Sequence, residues 1–150
     1  MGYSEMETGL ATVIKLLSGY TTTNVAQGNY RILGNGVTKA VILQPGAIQQ
    51  RSIVGAPRRQ QTIWVCNIEL WIPFLGEIST VSDSLRSVRQ ALIDHIDKYP
   101  TLSGTSGCIN AFITGAQEPT ELPGDPRRWW MQELQMTIEE RTTITIASGG

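Results

Sequence analysis

The run from Gln60 to Phe74 restricts this chain more than any other segment. Side chains alternate across a strand, so residues two apart share a face. Trp64, Cys66, Ile68, Leu70 and Ile72 form one continuous apolar face, and Ile63, Val65, Asn67, Glu69 and Trp71 form a mixed one. That period of two marks a strand rather than a helix. About 14 residues at ~3.3 Å each exceed about 45 Å, against roughly 5–6 residues in a typical strand. A small domain cannot cover both ends of it. The strand must bend at a bulge, or reach past the core as a projecting hairpin that meets another chain.

The flanking segments supply the rest of a domain. Ser4-Glu5-Met6-Glu7 fits a capping box, with Glu7 reaching back to the cap. Met6, Leu10, Val13, Ile14 and Leu17 then recur at helical spacing up to Gly19, a natural terminator. Tyr20 to Asn29 is polar and turn-like. Tyr30–Leu33 and Ala40–Leu43 read as short strands around a Gly34-Asn35-Gly36 turn, and Ala47 to Arg59 as a loop or loose hairpin tip. A second helix is expected over Ser79–Tyr99, capped by Ser82 or Thr80, with Leu85, Val88, Leu92 and Ile96 buried and Pro100 as its stop. Strands follow at Cys108–Thr114 and from Trp130, where Leu134, Met136 and Ile138 alternate, and a Pro/Gly/acid loop (Glu118 to Arg128) lies between them. The expectation is one α+β domain over residues 1–150: a two-layer fold with two amphipathic helices on a mainly antiparallel sheet of about five strands. It carries a long projecting hairpin and ends in a strand-like tail, 141–150.

At 150 residues one core can be buried. Only 17% of residues are charged, against about 25% in an average soluble domain. Thr, Ser, Gln and Asn take their place, and a surface of that kind loses water more readily than one of Lys and Glu. Nine of the twelve cationic residues are Arg, a bias that suits interfaces. The net charge of −1 gives no global case for nucleic acid or an anionic membrane. No run reaches the ~18–20 apolar residues of a membrane helix. The opening MGYSEMETG has acids where a secretory signal has basic and apolar runs. Cys66 and Cys108 sit in apolar strand-like runs and read as buried, reduced thiols.

Chemistry-bearing constellations are missing. A single histidine, His95, near the end of the second helix, assembles neither a Ser-His-Asp relay nor a zinc site of ordinary spacing; it reads as structural. Gly34-Asn35-Gly36-Val37-Thr38-Lys39 lacks phosphate-loop spacing and leads into a strand. Gly104-Thr105-Ser106-Gly107 is not a nucleophile elbow, and Asp83, Asp94 and Asp97 mark helix ends or a solvated face. No catalytic, cofactor or metal residue is therefore assigned, and the chain is expected not to be an enzyme. Arg58-Arg59 and Arg127-Arg128-Trp129-Trp130 join cations to aromatics. Trp130 fits the buried face of its strand, which leaves Trp129 and the arginines for contacts, with protein favoured over DNA. Ile63 and Trp71 on the mixed face, and Ile144 and Ile146 in the tail, complete the candidate contact residues.

Several segments together are similar to one family. They are Glu7-Thr8-Gly9-Leu10, Tyr30-Arg31-Ile32-Leu33, Ala40-Val41-Ile42-Leu43-Gln44-Pro45-Gly46, the long strand after Arg58-Arg59, Leu92-Ile93-Asp94-His95-Ile96-Asp97-Lys98-Tyr99-Pro100-Thr101-Leu102, and the Trp-rich final strand. The chain resembles, over nearly its whole length, the tail terminator (tail-completion) proteins of long-tailed bacteriophages. These motifs are structural, and neck and head-completion proteins share similar folds. The resemblance implies a hexameric ring without cofactor or turnover. That ring caps the tail tube, stops its growth and offers the head-attachment face. Its partners would be further copies of itself, the tail tube protein and a head or neck connector, with DNA only passing through. It would be made in the host cytoplasm and reside at the tail–neck junction of the virion. The alternative is a head-to-tail connector, a neck adaptor stacked on the portal.

Overall fold

The computed structural model describes residues 2–28, 37–55, 58–73, 78–122 and 128–144. Along the chain these form α1 (Tyr3–Lys15), β1 (Val25–Gln27), β2 (Ala40–Leu43), β3 (Ala47–Val54), β4 (Arg59–Pro73), α2 (Ile78–Asp97), β5 (Cys108–Ala116), β6 (Thr120–Leu122) and β7 (Trp129–Thr143). The expected sheet of about five mainly antiparallel strands is corrected. Among the described residues the sheet has seven strands and is mixed, because β1 runs parallel to β2. The additional strands come from segments whose polar composition reads as turn or loop. β1 lies in the stretch after Tyr20, β3 in the segment expected as a loop, and β6 in the acidic loop before β7. The strand expected at Tyr30–Leu33 and the Gly34-Asn35-Gly36 turn lie outside the described residues.

The long strand has no bulge against its longest partner and does not stand alone. β4 and β7 have 15 residues each and pair antiparallel from Arg59 with Thr143 to Pro73 with Trp129, without a register shift. A strand of unusual length has thus recruited a partner of equal length. Arg141 to Thr143, expected as part of a separate tail, complete this ladder; residues 145–150 lie outside the described residues. Two shorter strands in tandem line each side of this ribbon. Along β4 they are β2, opposite Ile68–Trp71, and β3, opposite Arg59–Val65. Along β7 they are β6, opposite Trp129–Met131, and β5, opposite Leu134–Glu140. The bulges fall in the short strands: in β3 between Ile48 and Gln50, and in β5 between Cys108 and Asn110 and between Ile113 and Gly115.

Both helices pack on one face of the sheet. Met6, Leu10, Val13 and Ile14 of α1 and Leu85, Leu92 and Ile96 of α2 share a core with Ile68, Leu70, Leu134, Met136 and Ile138. Full burial of each such side chain contributes about 1.5–3 kcal/mol. The first helix starts earlier than its Ser/Glu pattern suggests. Gly2 is the N-cap, and its N–H donates to Glu5 Oε2 at 2.8 Å, so Glu5 rather than Glu7 closes the box. This start places Tyr3 against Trp64, with ring centroids 5.3 Å apart, and lets its hydroxyl donate to the Gln44 carbonyl at 3.2 Å. A Cβ on Gly46 would collide with the Tyr3 ring, so the Pro-Gly break admits the aromatic as well as turning the chain. Helix α2 begins at Ile78, before Thr80 and Ser82, so neither of these caps it.

Candidate functional site

The face of the ribbon turned away from the helices is zoned along its length. Cross-strand neighbours there run from Arg59 and Thr143 through Gln61 with Arg141, Ile63 with Glu139, Val65 with Thr137, Asn67 with Gln135 and Glu69 with Glu133 to Trp71 with Met131. One end is basic, the middle mixes apolar and amide side chains with Glu139, Glu69 and Glu133, and the other end is aromatic. Among the described residues no helix covers Ile63 and Val65, which are half-buried between their neighbours in the sheet.

The aromatic end is closed within the protomer, and two expected contact residues are relocated by it. Trp71 and Trp129 are only 7% and 6% exposed and form a small second core with Ala40 and Ile42. Their rings meet edge to face at 6.2 Å. Glu69, itself 6% exposed, anchors the cluster: one carboxylate oxygen accepts from Trp71 Nε1 at 3.0 Å and the other from Gln44 Nε2 at 2.7 Å. A carboxylate with both oxygens engaged is a tolerable buried acid. Trp71 and Trp129 are therefore internal, because one buried face does not leave the other exposed when short strands and loops close over it. Trp130 packs against the main core on the helix side.

The remaining candidates divide by location. Arg58 and Arg59 are exposed at the hairpin end. The Arg58 carbonyl accepts from the Ile144 N–H at 2.9 Å, so the half-buried Ile144 is held by its own protomer. Arg128 is exposed and pairs with Glu121 at 2.7 Å, across the start of β7. Arg127 and Ile146 lie outside the described residues. His95 is buried; its Nε2 donates to the Val13 carbonyl at 2.7 Å, which ties α2 to α1, and its ring lies tilted against that of Tyr99 with centroids 5.1 Å apart. Cys66 and Cys108 are free, buried thiols. Burial pushes both upward, Cys108 to about 11.

Sequence reasoning missed the strand β3. Seven of its eight residues are exposed, including Ile48 at 53%, Ile53 at 38% and Val54 at 58%. The signal was present, since Ile48, Ile53 and Val54 bracket a Gln-Gln-Arg-Ser stretch free of Gly and Pro. On the opposite side of the sheet, Ile109 and Phe112 of β5 are each 37% exposed. Arg51 and Arg141 also join Arg59 at the hairpin end through the register of β3, β4 and β7.

A concave space of about 500 Å³ lies between the start of α1 and the turn from Leu102 to Ser106. Three of its hydroxyls serve the backbone and the cap: Thr105 Oγ1 donates to the Leu102 carbonyl, Thr12 Oγ1 to the Thr8 carbonyl and Ser4 Oγ to Glu5 Oε2. Such an arrangement offers neither a nucleophile with a base nor a convergent charge. Among the described residues no three His, Cys, Asp or Glu side chains converge as a metal site would require, and no helix is long and apolar enough to cross a membrane. No family model matches this sequence, and no curated protein is similar to it at a significant level.

Proposed function

We propose that this chain is a structural, non-enzymatic subunit of a long-tailed bacteriophage: a tail terminator. It forms a ring, hexameric in the family it resembles, that caps the tail tube, ends its growth and provides the surface for the head. The observation that carries the assembly half of this reading is β3. An edge strand exposed at seven of eight positions, and paired only with β4 among the described residues, presents open backbone donors and acceptors together with apolar side chains. Such an edge is a liability in a free monomer and an asset in an assembly. The tail-specific half rests on the sequence resemblance, which spans both helices and the long strand.

A closed ring suits termination for a physical reason. Tube growth is open-ended heterologous association, and a cap must bind the last layer without recreating the surface it binds. A protein whose sticky edges are consumed in closing its own ring does this. Its partners are then its own copies, the tube protein below and a neck connector above, at the tail–neck junction of the virion.

Electron microscopy and sedimentation of the purified protein, alone and with tail tubes, test the proposal. Rings that sit on one end of the tubes and block addition of further tube subunits are the expected result. Rings that ignore tubes and bind a portal would assign the chain to the neck instead. A strict monomer in both conditions would end the ring reading.

A further inference from the structure

We infer that the ring closes by strand addition: β3 and β5, each paired on one side only among the described residues, join antiparallel between one copy and the next. This rests on the ring reading above and names its contact. Among the described residues six large hydrophobic side chains are exposed, and five of them lie on these two strands: Ile48, Ile53 and Val54 on β3, Ile109 and Phe112 on β5. The two edges match in length, with eight and nine residues. Neither carries the lysine or proline that commonly guards an edge.

Topology supplies the direction. β3 is antiparallel to β4, β4 to β7 and β7 to β5, so β3 and β5 run oppositely. A second copy related by rotation about an axis along the strands keeps these directions, and its β3 meets the first copy's β5 as an antiparallel pair. The edges also lie at a common level. Four rows cross all four strands: Arg51–Thr62–Glu140–Cys108, Gln50–Ile63–Glu139–Asn110, Ile48–Trp64–Ile138–Ala111 and Ala47–Val65–Thr137–Phe112. Each of the two edge strands has a bulge within this stretch, which increases local twist and supplies curvature that a closing sheet requires.

Charge selects the second copy's β5 over its β3. Two β3 strands paired symmetrically about Arg51 would set the two guanidiniums side by side, and like charges across a ladder are unfavourable. β5 has no charged residue and is backed by Glu139 and Glu140 of β7, so it receives Arg51 without repulsion. Pairing β5 with β5 would leave every β3 edge open and could not build a ring.

Two double variants test this: Ile53→Lys with Val54→Lys on β3, and Ile109→Lys with Phe112→Lys on β5. Each changes only exposed side chains, and cooperative thermal unfolding checks the fold. Should either lose that transition, threonine at the same positions, which keeps strand preference, replaces lysine. In sedimentation each variant alone should be a monomer, while an equal mixture should give a dimer and nothing larger, since one good β3 then meets one good β5. Dimers of either variant alone would mean isologous pairing and overturn the inference. Intact rings from both variants would overturn it too, while leaving the ring itself standing. A wild-type protein that is monomeric alone and with tail tubes would remove both.

Discussion

The two ends of the β4–β7 ribbon behave as different materials. From Ile68 to Pro73 every residue of β4 is buried, with the helix core on one face and the Trp71–Trp129 cluster on the other. From Arg59 to Gln61 none is buried, and the adjacent β3 is almost wholly exposed. One strand therefore passes from the interior of the domain to its surface in 15 residues. The buried end contributes stability because packing there is two-sided; the hairpin end contributes surface, held in shape by a ladder rooted in the buried end. Strand additivity carries rigidity outward without requiring a local core, and that is how a small domain can present a long edge to a neighbour.

If this division is right, damage at the buried end should dominate stability. Trp71→Ala removes an indole that packs on Trp129 and donates to the buried Glu69, so it creates a cavity and leaves a carboxylate oxygen without that donor. Chemical denaturation should show a loss of about 3–5 kcal/mol. A loss below about 1 kcal/mol would mean that the second face is not a core and would break the comparison. Next in size is Gly9→Ala on α1. A Cβ there would collide with Thr105 Oγ1, which is fixed by its bond to the Leu102 carbonyl, so the helix must shift from the turn. An overpacking cost of about 1–3 kcal/mol is expected, and Gly9→Ala combined with Thr105→Ala, which removes the colliding Oγ1, should recover part of it in the same melts.

How much of this was legible in the sequence follows from which signals are local. β4, β7 and both helices announce themselves, because a period of two over Trp64–Ile72 and of 3.6 over Met6–Leu17 survives any tertiary context. β1 and β6 have three residues each and borrow their strand character from β2 and β7, so no period exists to be read. β3 alternates weakly because neither of its faces is buried, and burial is what writes the pattern. Trp71 and Trp129 were misplaced for a related reason: alternation identifies two faces but not whether the chain returns to cover the second. Arg58 and Arg59 were placed at the surface correctly by their charge, while the juxtaposition with Arg141 depends on a register between strands some eighty residues apart.

A smaller effect is expected from the two thiols, which sit on the helix-covered face. Burial raises Cys108 from its ordinary 9.0 to about 11, with Glu140 and Glu139 acting in the same direction. A raised thiol contributes stability that is complete below the unfolded value, near 9, and is lost as pH rises to about 11. Melting temperature should thus be flat from pH 7 to 8.5 and decline above 9, with Cys108→Ser flattening the decline. Disulfide-exchange reagents should label neither cysteine of the native protein at pH 8, and both after denaturation. Rapid native labelling of Cys108 would show that the start of β5 opens, and would blur the contrast between the rooted and the free parts of the sheet.

The smallest effect on stability, alongside a measurable one on assembly, belongs to the arginines of the hairpin end. Arg58 and Arg59 are exposed, and the bond that Arg58 supplies to the end of the ladder, from the Ile144 N–H, uses its backbone carbonyl, which alanine retains. Register also sets Arg59 diagonally from Arg141 on one face, so removing a guanidinium relieves like-charge repulsion as much as it removes packing. Arg58→Ala and Arg59→Ala should therefore leave stability within about 0.5 kcal/mol of wild type in denaturant. In sedimentation and tube-binding experiments the same variants should shift the balance from rings to free protomers, and the double variant should do so more than either single one. A concentration series separates the two readouts, because unfolding of the monomer is independent of concentration whereas ring formation depends on it steeply. A fall in melting temperature approaching that of Trp71→Ala would show that the hairpin end is part of the folding core, and the distinction between the two ends of the ribbon would then collapse.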